Sequence, residues 1–174
     1  NDILNGGNNT DTLYGGSGED NLDGGSDDDR LYGMDDTVSN NGELGNDSLF
    51  GGIGDDPLIV GDGDDYLNGG SGNDTMSGGA GNDRYIVDSS SDLITENLSQ
   101  GTDKIYSSAT FVAPDNVEQL ILTGSSNIDA TGNSINNTLK GNRGNNTLSG
   151  DDGDDTLDGG SGNDILNGGN NNDT

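Results

Sequence analysis

Four nonapeptides stand end to end between Gly51 and Ile86: GGIGDDPLI from Gly51, VGDGDDYLN from Val60, GGSGNDTMS from Gly69 and GGAGNDRYI from Gly78. This stretch decides the fold. Its frames share Gly at positions two and four, Asp at position six and an apolar residue at position eight, the pattern GGxGxDxUx. Towards the N-terminus the frame continues as GGNNTDTLY from Gly6, GGSGEDNLD from Gly15 and GGSDDDRLY from Gly24. The residues from Gly33 to Phe50 keep the phase: Gly33–Asn41 has lost the pattern, with Val38 at position six and Asn40 at position eight, whereas GELGNDSLF retains it. A second array opens at Gly132 with GNSINNTLK, GNRGNNTLS, GDDGDDTLD and GGSGNDILN, and then GGNNNDT. Positions 6 and 132 differ by 126, a multiple of nine, so one phase spans the gap.

Each nonapeptide reads as a six-residue turn followed by a three-residue strand. Glycine lets the turn adopt positive φ and brings backbone carbonyls close together. The position-eight residue must point inward: Leu4, Leu13, Leu22, Leu31, Leu49, Leu58, Leu67, Met76 and Tyr85, then Leu139, Leu148, Leu157 and Leu166. One inward residue in nine cannot bury a core in an ordinary domain. It can in a solenoid, where stacked coils place equivalent residues about 4.8 Å apart in a continuous ladder.

Composition without periodicity points the other way. The 174 residues carry 33 acidic and 5 basic side chains, a net charge of −28. Leu, Ile, Val and Phe make up 33 of the 174, about 19%, a level that with such a charge describes a disordered chain. The chain has no His and no Cys, which excludes a thiol nucleophile, a Ser-His-Asp triad and the usual zinc sites. A polyanion with five scattered cations (Arg30, Arg84, Lys104, Lys140 and Arg143) does not bind nucleic acid or anionic lipid through surface charge. No apolar run reaches the length of a membrane span, so membrane insertion is not expected. No catalytic residue is assigned, and no enzyme activity is expected.

The position-six series is Asp2, Asp11, Asp20, Asp29, Asp47, Asp56, Asp65, Asp74 and Asp83, then Asp155, Asp164 and Asp173. Stacked without counterions these carboxylates would repel one another. Calcium resolves that, because it takes six to eight oxygens at about 2.3–2.6 Å from carboxylates and carbonyls together; magnesium is more demanding. Carbonyls near Gly18, Gly54, Gly63, Gly72, Gly81, Gly153 and Gly162 are expected to complete the shells. Asn137 and Asn146 replace Asp, so calcium should be weaker there. Asp23, Asp27, Asp35, Asp36, Asp151 and Asp158 are off-phase and read as solvated.

About a dozen such repeats in one frame resemble the RTX, or haemolysin-type calcium-binding, family over both arrays. The resemblance implies an all-β, right-handed parallel β-roll with two nonapeptides per coil and several calcium ions between neighbouring coils. On one edge, ions would then be shared by Asp11–Asp29, Asp29–Asp47, Asp47–Asp65 and Asp65–Asp83, and on the other by Asp2–Asp20 and Asp56–Asp74. The degenerate frame would bulge outward and leave an irregular edge between Asp20 and Asp56. The chain is expected to divide into a first array (1–86), a β-solenoid junction (87–131) and a second array (132–174). The junction also resembles a block found beside such arrays, through Asp83, Tyr85, Val87, Asp88, Glu96, Gly101-Thr102-Asp103, Ile105, Val117-Glu118, Leu120, Leu122 and Gly124. It should form wider coils with a larger core, and Asp88, Asp92, Glu96 and Asp103 could hold a further ion.

NDILNGGNNTDT at positions 1–12 recurs as NDILNGGNNNDT at positions 163–174, an offset of eighteen nonapeptides. This suggests a larger tandem unit and a chain that continues into more solenoid or associates with itself. The expected function is a calcium-binding structural segment of a secreted, cell-surface or fibre-forming bacterial protein, folding on calcium; the family resemblance adds type I secretion. Two alternatives stand beside it: a secretion and folding module of a secreted enzyme or toxin, and a polysaccharide-binding module.

Overall fold

The computed structural model describes residues 1–33 and 45–174. Its regular elements are short parallel strands. In chain order the first six are β1 (Ile3–Asn8), β2 (Thr12–Tyr14), β3 (Asn21–Ser26), β4 (Arg30–Tyr32), β5 (Ser48–Ile53) and β6 (Pro57–Ile59). Next come β7 (Tyr66–Ser71), β8 (Thr75–Ser77), β9 (Arg84–Val87), β10 (Leu93–Thr95), β11 (Lys104–Ser107) and β12 (Phe111–Val112). The last are β13 (Gln119–Leu122), β14 (Ala130–Thr131), β15 (Thr138–Lys140), β16 (Thr147–Ser149), β17 (Thr156–Asp158) and β18 (Ile165–Asn167). Odd-numbered strands form one nine-stranded sheet in chain order; even-numbered strands form a five-stranded and a four-stranded sheet. Strict alternation between walls is a parallel β-roll, a solenoid of about nine turns with two strands per coil.

The register explains how so little apolar surface suffices. In the nine-stranded sheet Leu4, Leu22, Leu49, Leu67, Tyr85, Ile105, Leu120, Leu139 and Leu157 stand in one row. Leu13, Leu31, Leu58, Met76 and Ile94 form the facing row. Phe111, Ala130, Leu148 and Leu166 extend that wall. Most of these residues are fully buried, so each contributes the roughly 1.5–3 kcal/mol of a buried aliphatic side chain. Leu67, with no exposed surface and Leu49 and Tyr85 as row neighbours, should lose about 2–5 kcal/mol on change to Ala. Thermal unfolding in saturating calcium measures it. Leu98, 78% exposed, is the control and should shift stability by less than about 0.5 kcal/mol.

One expectation is corrected here. Leu22 pairs with Leu49 and Leu31 with Leu58, steps of three nonapeptides where every other coil of this array takes two. The nine extra residues in both steps move each later repeat to the wall opposite the one that a count in eighteens assigns it. The move is cheap because both walls accept the same nonapeptide. The expected bulge of the degenerate frame lies, from residue 34 onward, outside the described residues, as do Asp35, Asp36, Val38 and Asn40.

The nine-stranded sheet runs through the junction without a break. Its row steps there run from Tyr85 to Ile105, from Ile105 to Leu120 and from Leu120 to Leu139. The first and third coils are wider than two nonapeptides and the second is tighter. Tyr85 to Leu139 nevertheless equals six nonapeptides, the length of three regular coils, which restores the phase at the second array. The junction strands carry a second inward residue, Val87, Ser107 or Leu122, and with Phe111, Ala113 and Val117 they thicken the core. The two copies of Asn-Asp-Ile-Leu-Asn sit on opposite walls, in β1 and β18.

Candidate metal centres along the two edges

The turns between strands bring the position-six aspartates into one column on each edge. On the first edge the Asp20 N–H donates to Asp47 Oδ1 (2.8 Å), Asp47 to Asp65 (2.7 Å), Asp65 to Asp83 (2.8 Å) and Asp83 to Asp103 (2.8 Å). The Asp2 N–H opens this column on Asp20. On the second edge Asp11 donates to Asp29 (2.7 Å), Asp29 to Asp56 (2.6 Å), Asp56 to Asp74 (2.9 Å) and Asp74 to Asp92 (3.1 Å). Asp29 thus meets Asp56 rather than Asp47, and Asp20 meets Asp47. Neither column has the gap expected between Asp20 and Asp56, because both take the same 27-residue step there.

These hydrogen bonds use one carboxylate oxygen. The other, Oδ2, is buried and without a hydrogen-bond partner in Asp11, Asp20, Asp29, Asp56, Asp65, Asp74, Asp83 and Asp155. In Asp11, Asp20, Asp29, Asp56 and Asp155 a glycine carbonyl from the next coil lies close to it. A Cβ on Gly24 would lie 2.6 Å from the Gly51 carbonyl oxygen and 2.7 Å from Asp29 Oδ2. On Gly6 it would lie 2.7 Å from the Gly24 oxygen and 2.8 Å from Asp11 Oδ2. The oxygens converging at position one are thus close enough to exclude a methyl group. Of the position-four glycines, Gly54, Gly63, Gly72, Gly81, Gly153 and Gly162 have positive φ and pack against a carbonyl of the preceding coil, while Gly18 abuts Asn1.

The electrostatics of these columns are unfavourable for bare carboxylates. Burial, then neighbouring carboxylates, raises Asp65, Asp74 and Asp83 to about 7 and Asp56 to about 6, against the lowering effect of the backbone N–H donors. Asp29, Asp92 and Asp155 move upward for the same leading reason. Among the described residues the one ion pair between side chains is Lys140 with Asp158, at 3.4 Å on the surface. Arg84 lies over the rings of Tyr66 and Tyr106 instead. A row of buried anionic oxygens with no cationic side chain paired to it among the described residues, beside carbonyl oxygens, is the donor set of a hard divalent ion such as calcium.

Exposure varies along the columns. Asp20, Asp29, Asp47, Asp56, Asp65, Asp74, Asp83 and Asp155 are buried, Asp11 and Asp164 are half-buried, and Asp2 and Asp173 are exposed. In the second array the columns run from Asn137 to Asp155 to Asp173 and from Asn146 to Asp164. The two asparagines spend their amides internally. Asn137 donates to the Val117 carbonyl (2.9 Å) and accepts from the Asn133 N–H (2.7 Å). Asn146 donates to the Ile128 carbonyl (2.6 Å) and accepts from the Asn142 N–H (2.9 Å). Their side chains close these coils by direct hydrogen bonds and leave no orphan oxygen.

Three relations escaped the sequence reading, which offers Asp92 and Asp103 only as ligands of a further junction ion. Asp92 stands two nonapeptides after Asp74, on phase, and continues the second column into the junction; extending the count of nine past Ile86 finds it. Asp103 continues the first column after a 20-residue step that no fixed period detects. The position-five residues form an outer column on each edge, running the other way: Asp55 donates to Asp28 (3.0 Å) and Asn73 to Asp55 (2.8 Å) on the second edge, and Asn82 to Asp64 (2.8 Å) on the first. Asp88 is exposed and Asp92 stands on the second edge, whereas Glu96 and Asp103 lie together with Asp83, so the four junction acids do not form one cluster. Asp27 and Asp151 are not merely solvated. They hold left-handed turn positions, at φ 79° and 78°, where other frames place glycine.

No curated protein matches the chain. The family model described as the RTX calcium-binding nonapeptide repeat matches residues 5–37, 41–59, 50–85, 59–94, 131–166 and 141–174. With most of its length matched, paired aspartate columns and a parallel β-roll, the chain belongs to the RTX calcium-binding nonapeptide-repeat family.

Proposed function

We propose that the chain is a calcium-loaded structural rod, a segment of a secreted or cell-surface protein that folds when it meets external calcium. The row of buried, unpartnered Oδ2 atoms carries this reading. The ions would be held by the position-six aspartates Asp2, Asp11, Asp20, Asp29, Asp47, Asp56, Asp65, Asp74, Asp83, Asp155, Asp164 and Asp173, with glycine carbonyls between coils. Calcium supplies the positive charge that these columns lack, so its binding free energy becomes folding free energy. The chain's own part is to fix Oδ1 on a backbone N–H, to leave Oδ2 unpartnered in residues such as Asp29, Asp56, Asp65, Asp74 and Asp83, and to exclude water with the leucine rows. Two calcium-bearing arrays joined by a thicker-cored junction, 87–131, suit a stiff rod. An extracellular location belongs to the same reading, because millimolar calcium fills sites that a calcium-poor cytosol leaves empty. Self-association or continuation into more solenoid follows the echo of residues 1–12 at 163–174, and calcium could bridge the roll to an anionic glycan.

Asp65→Ala tests the ligand assignment against Asp27→Gly. Asp65 is buried with an orphan Oδ2, whereas Asp27 is an exposed left-handed turn residue that accepts the Asn9 N–H at 2.9 Å. Glycine suits the Asp27 backbone, so this control adds no strain. The calcium concentration at half-folding should rise roughly tenfold or more for Asp65→Ala, equivalent to at least about 1.4 kcal/mol, and little for Asp27→Gly. Equal shifts would refute position six as the ligand position.

A further inference from the structure

We propose that Asp83, Glu96 and Asp103 form a separate site for a hard divalent cation, calcium by its ligand chemistry, where the regular nonapeptides give way to the junction. One carboxylate oxygen from each lies within 4.8 Å of the other two, a span that one calcium with oxygens about 2.3–2.6 Å away can bridge. The three arrive from different places. Asp83 precedes β9 and Asp103 precedes β11 on the first edge, whereas Glu96 follows β10 of the other wall. A repeat site takes its carboxylates from one edge alone. Here a residue outside any nonapeptide crosses to the first edge, so the site ties the two walls together.

Two observations beyond the clustering point to a ligand. Glu96 is 7% exposed and Asp83 is 1% exposed, and both keep one buried carboxylate oxygen without a hydrogen-bond partner, Glu96 Oε2 and Asp83 Oδ2. The space they face is also shaped. A Cβ on Gly78 would run into Asp83 Oδ2 and the Tyr85 hydroxyl, so only glycine leaves this corner open. The other oxygens are already placed: Glu96 Oε1 accepts from the Tyr85 hydroxyl, and Asp103 Oδ1 accepts the Asp83 N–H at 2.8 Å. Tyr85, inward from β9, thereby orients Glu96 as a positioning residue. Three buried carboxylates have no cationic side chain paired with them among the described residues, and a bound cation offsets that charge. The all-oxygen set excludes soft metals.

The site stands apart from the repeat ions, because neither Glu96 nor Asp103 belongs to a nonapeptide, and its test separates the two. The full chain is loaded with calcium, freed of excess by gel filtration and its bound calcium counted per chain by atomic emission. Glu96→Gln should hold one ion fewer than the wild type while its circular dichroism still responds to calcium. An unchanged count would overturn the junction site alone, and a wild-type chain without calcium would overturn the repeat sites as well. Terbium provides a second measurement that does not need the Gln variant to fold. Tyr85→Phe keeps all three carboxylates and should lose the terbium luminescence excited through this phenol. Luminescence equal to that of the wild type would place no ion beside Tyr85 and sink the proposal.

Discussion

Excess chelator is expected to abolish the β-roll, and restored calcium to rebuild it. The apo chain carries a charge of −28 and has one inward apolar residue per nonapeptide over most of its length. The leucine rows can be buried only if the aspartate columns stack beside them, and each stacked column places buried anions within a coil's spacing of one another. Leaving such charges uncompensated costs several kcal/mol apiece, more than one buried leucine per strand returns. The loss should therefore be cooperative and global rather than a fraying of loops. Far-UV circular dichroism during a calcium titration measures it. A β-spectrum that survives excess chelator would overturn calcium-coupled folding, and magnesium at the same concentration should substitute poorly.

Protons should partly replace calcium. Asp65, Asp74 and Asp83 are raised to about 7 and Asp56 to about 6, chiefly by burial, whereas in the unfolded chain an aspartate titrates near 3.9. A group raised on folding binds its proton more tightly in the folded state. Its contribution to apo stability is therefore fully present below about pH 4 and is lost as pH rises through 6 to 7. Every tenfold gain in proton affinity is worth about 1.4 kcal/mol, so several buried aspartates together outweigh any single side-chain contact. Without calcium, the chain should gain β-structure as pH falls from about 8 to about 5, and lose it on return. Calcium competes with those protons, so the calcium needed for half-folding should rise as pH falls through 7. An apo spectrum that stays flat across this range would contradict the burial of the columns. Asp65→Asn, which needs no proton to be neutral, should flatten part of the pH response.

The second array contributes less to both responses, although it unfolds with the coils it stacks on. Asn137 and Asn146 are already neutral and hydrogen-bonded through both ends of their amides. Their coils gain little from calcium or acid, which leaves the acid-sensitive carboxylates between Asp29 and Asp103, with Asp155 beyond them. Sequence reading expected weaker calcium at these asparagines from charge alone. The internal closure depends on Asn133 and Asn142 at position two meeting the Pro114, Val117, Thr123 and Ser126 carbonyls of the coil before, a relation between coils that no nonapeptide pattern encodes.

The unit of the fold is written in the sequence: a period of nine, with glycine where the turn needs positive φ, leucine facing inward and aspartate at a constant place in each turn. Those are local requirements repeated many times, so they are legible one frame at a time, and they turn a composition typical of disorder into a solenoid. The wall on which each frame lies emerges only when the coils stack. A phase counted in nines is blind to a coil of two nines. Every nonapeptide fits either wall, so the 27-residue steps from Leu22 to Leu49 and from Leu31 to Leu58 exchange the walls of all later aspartates, and the partners of Asp20 and Asp29, without leaving a mark in the pattern. The same holds for Asp103 and Glu96, which reach Asp83 through coils of irregular length and across the core. Which anions meet is a property of stacking, and stacking is set by the register between coils rather than by any one of them.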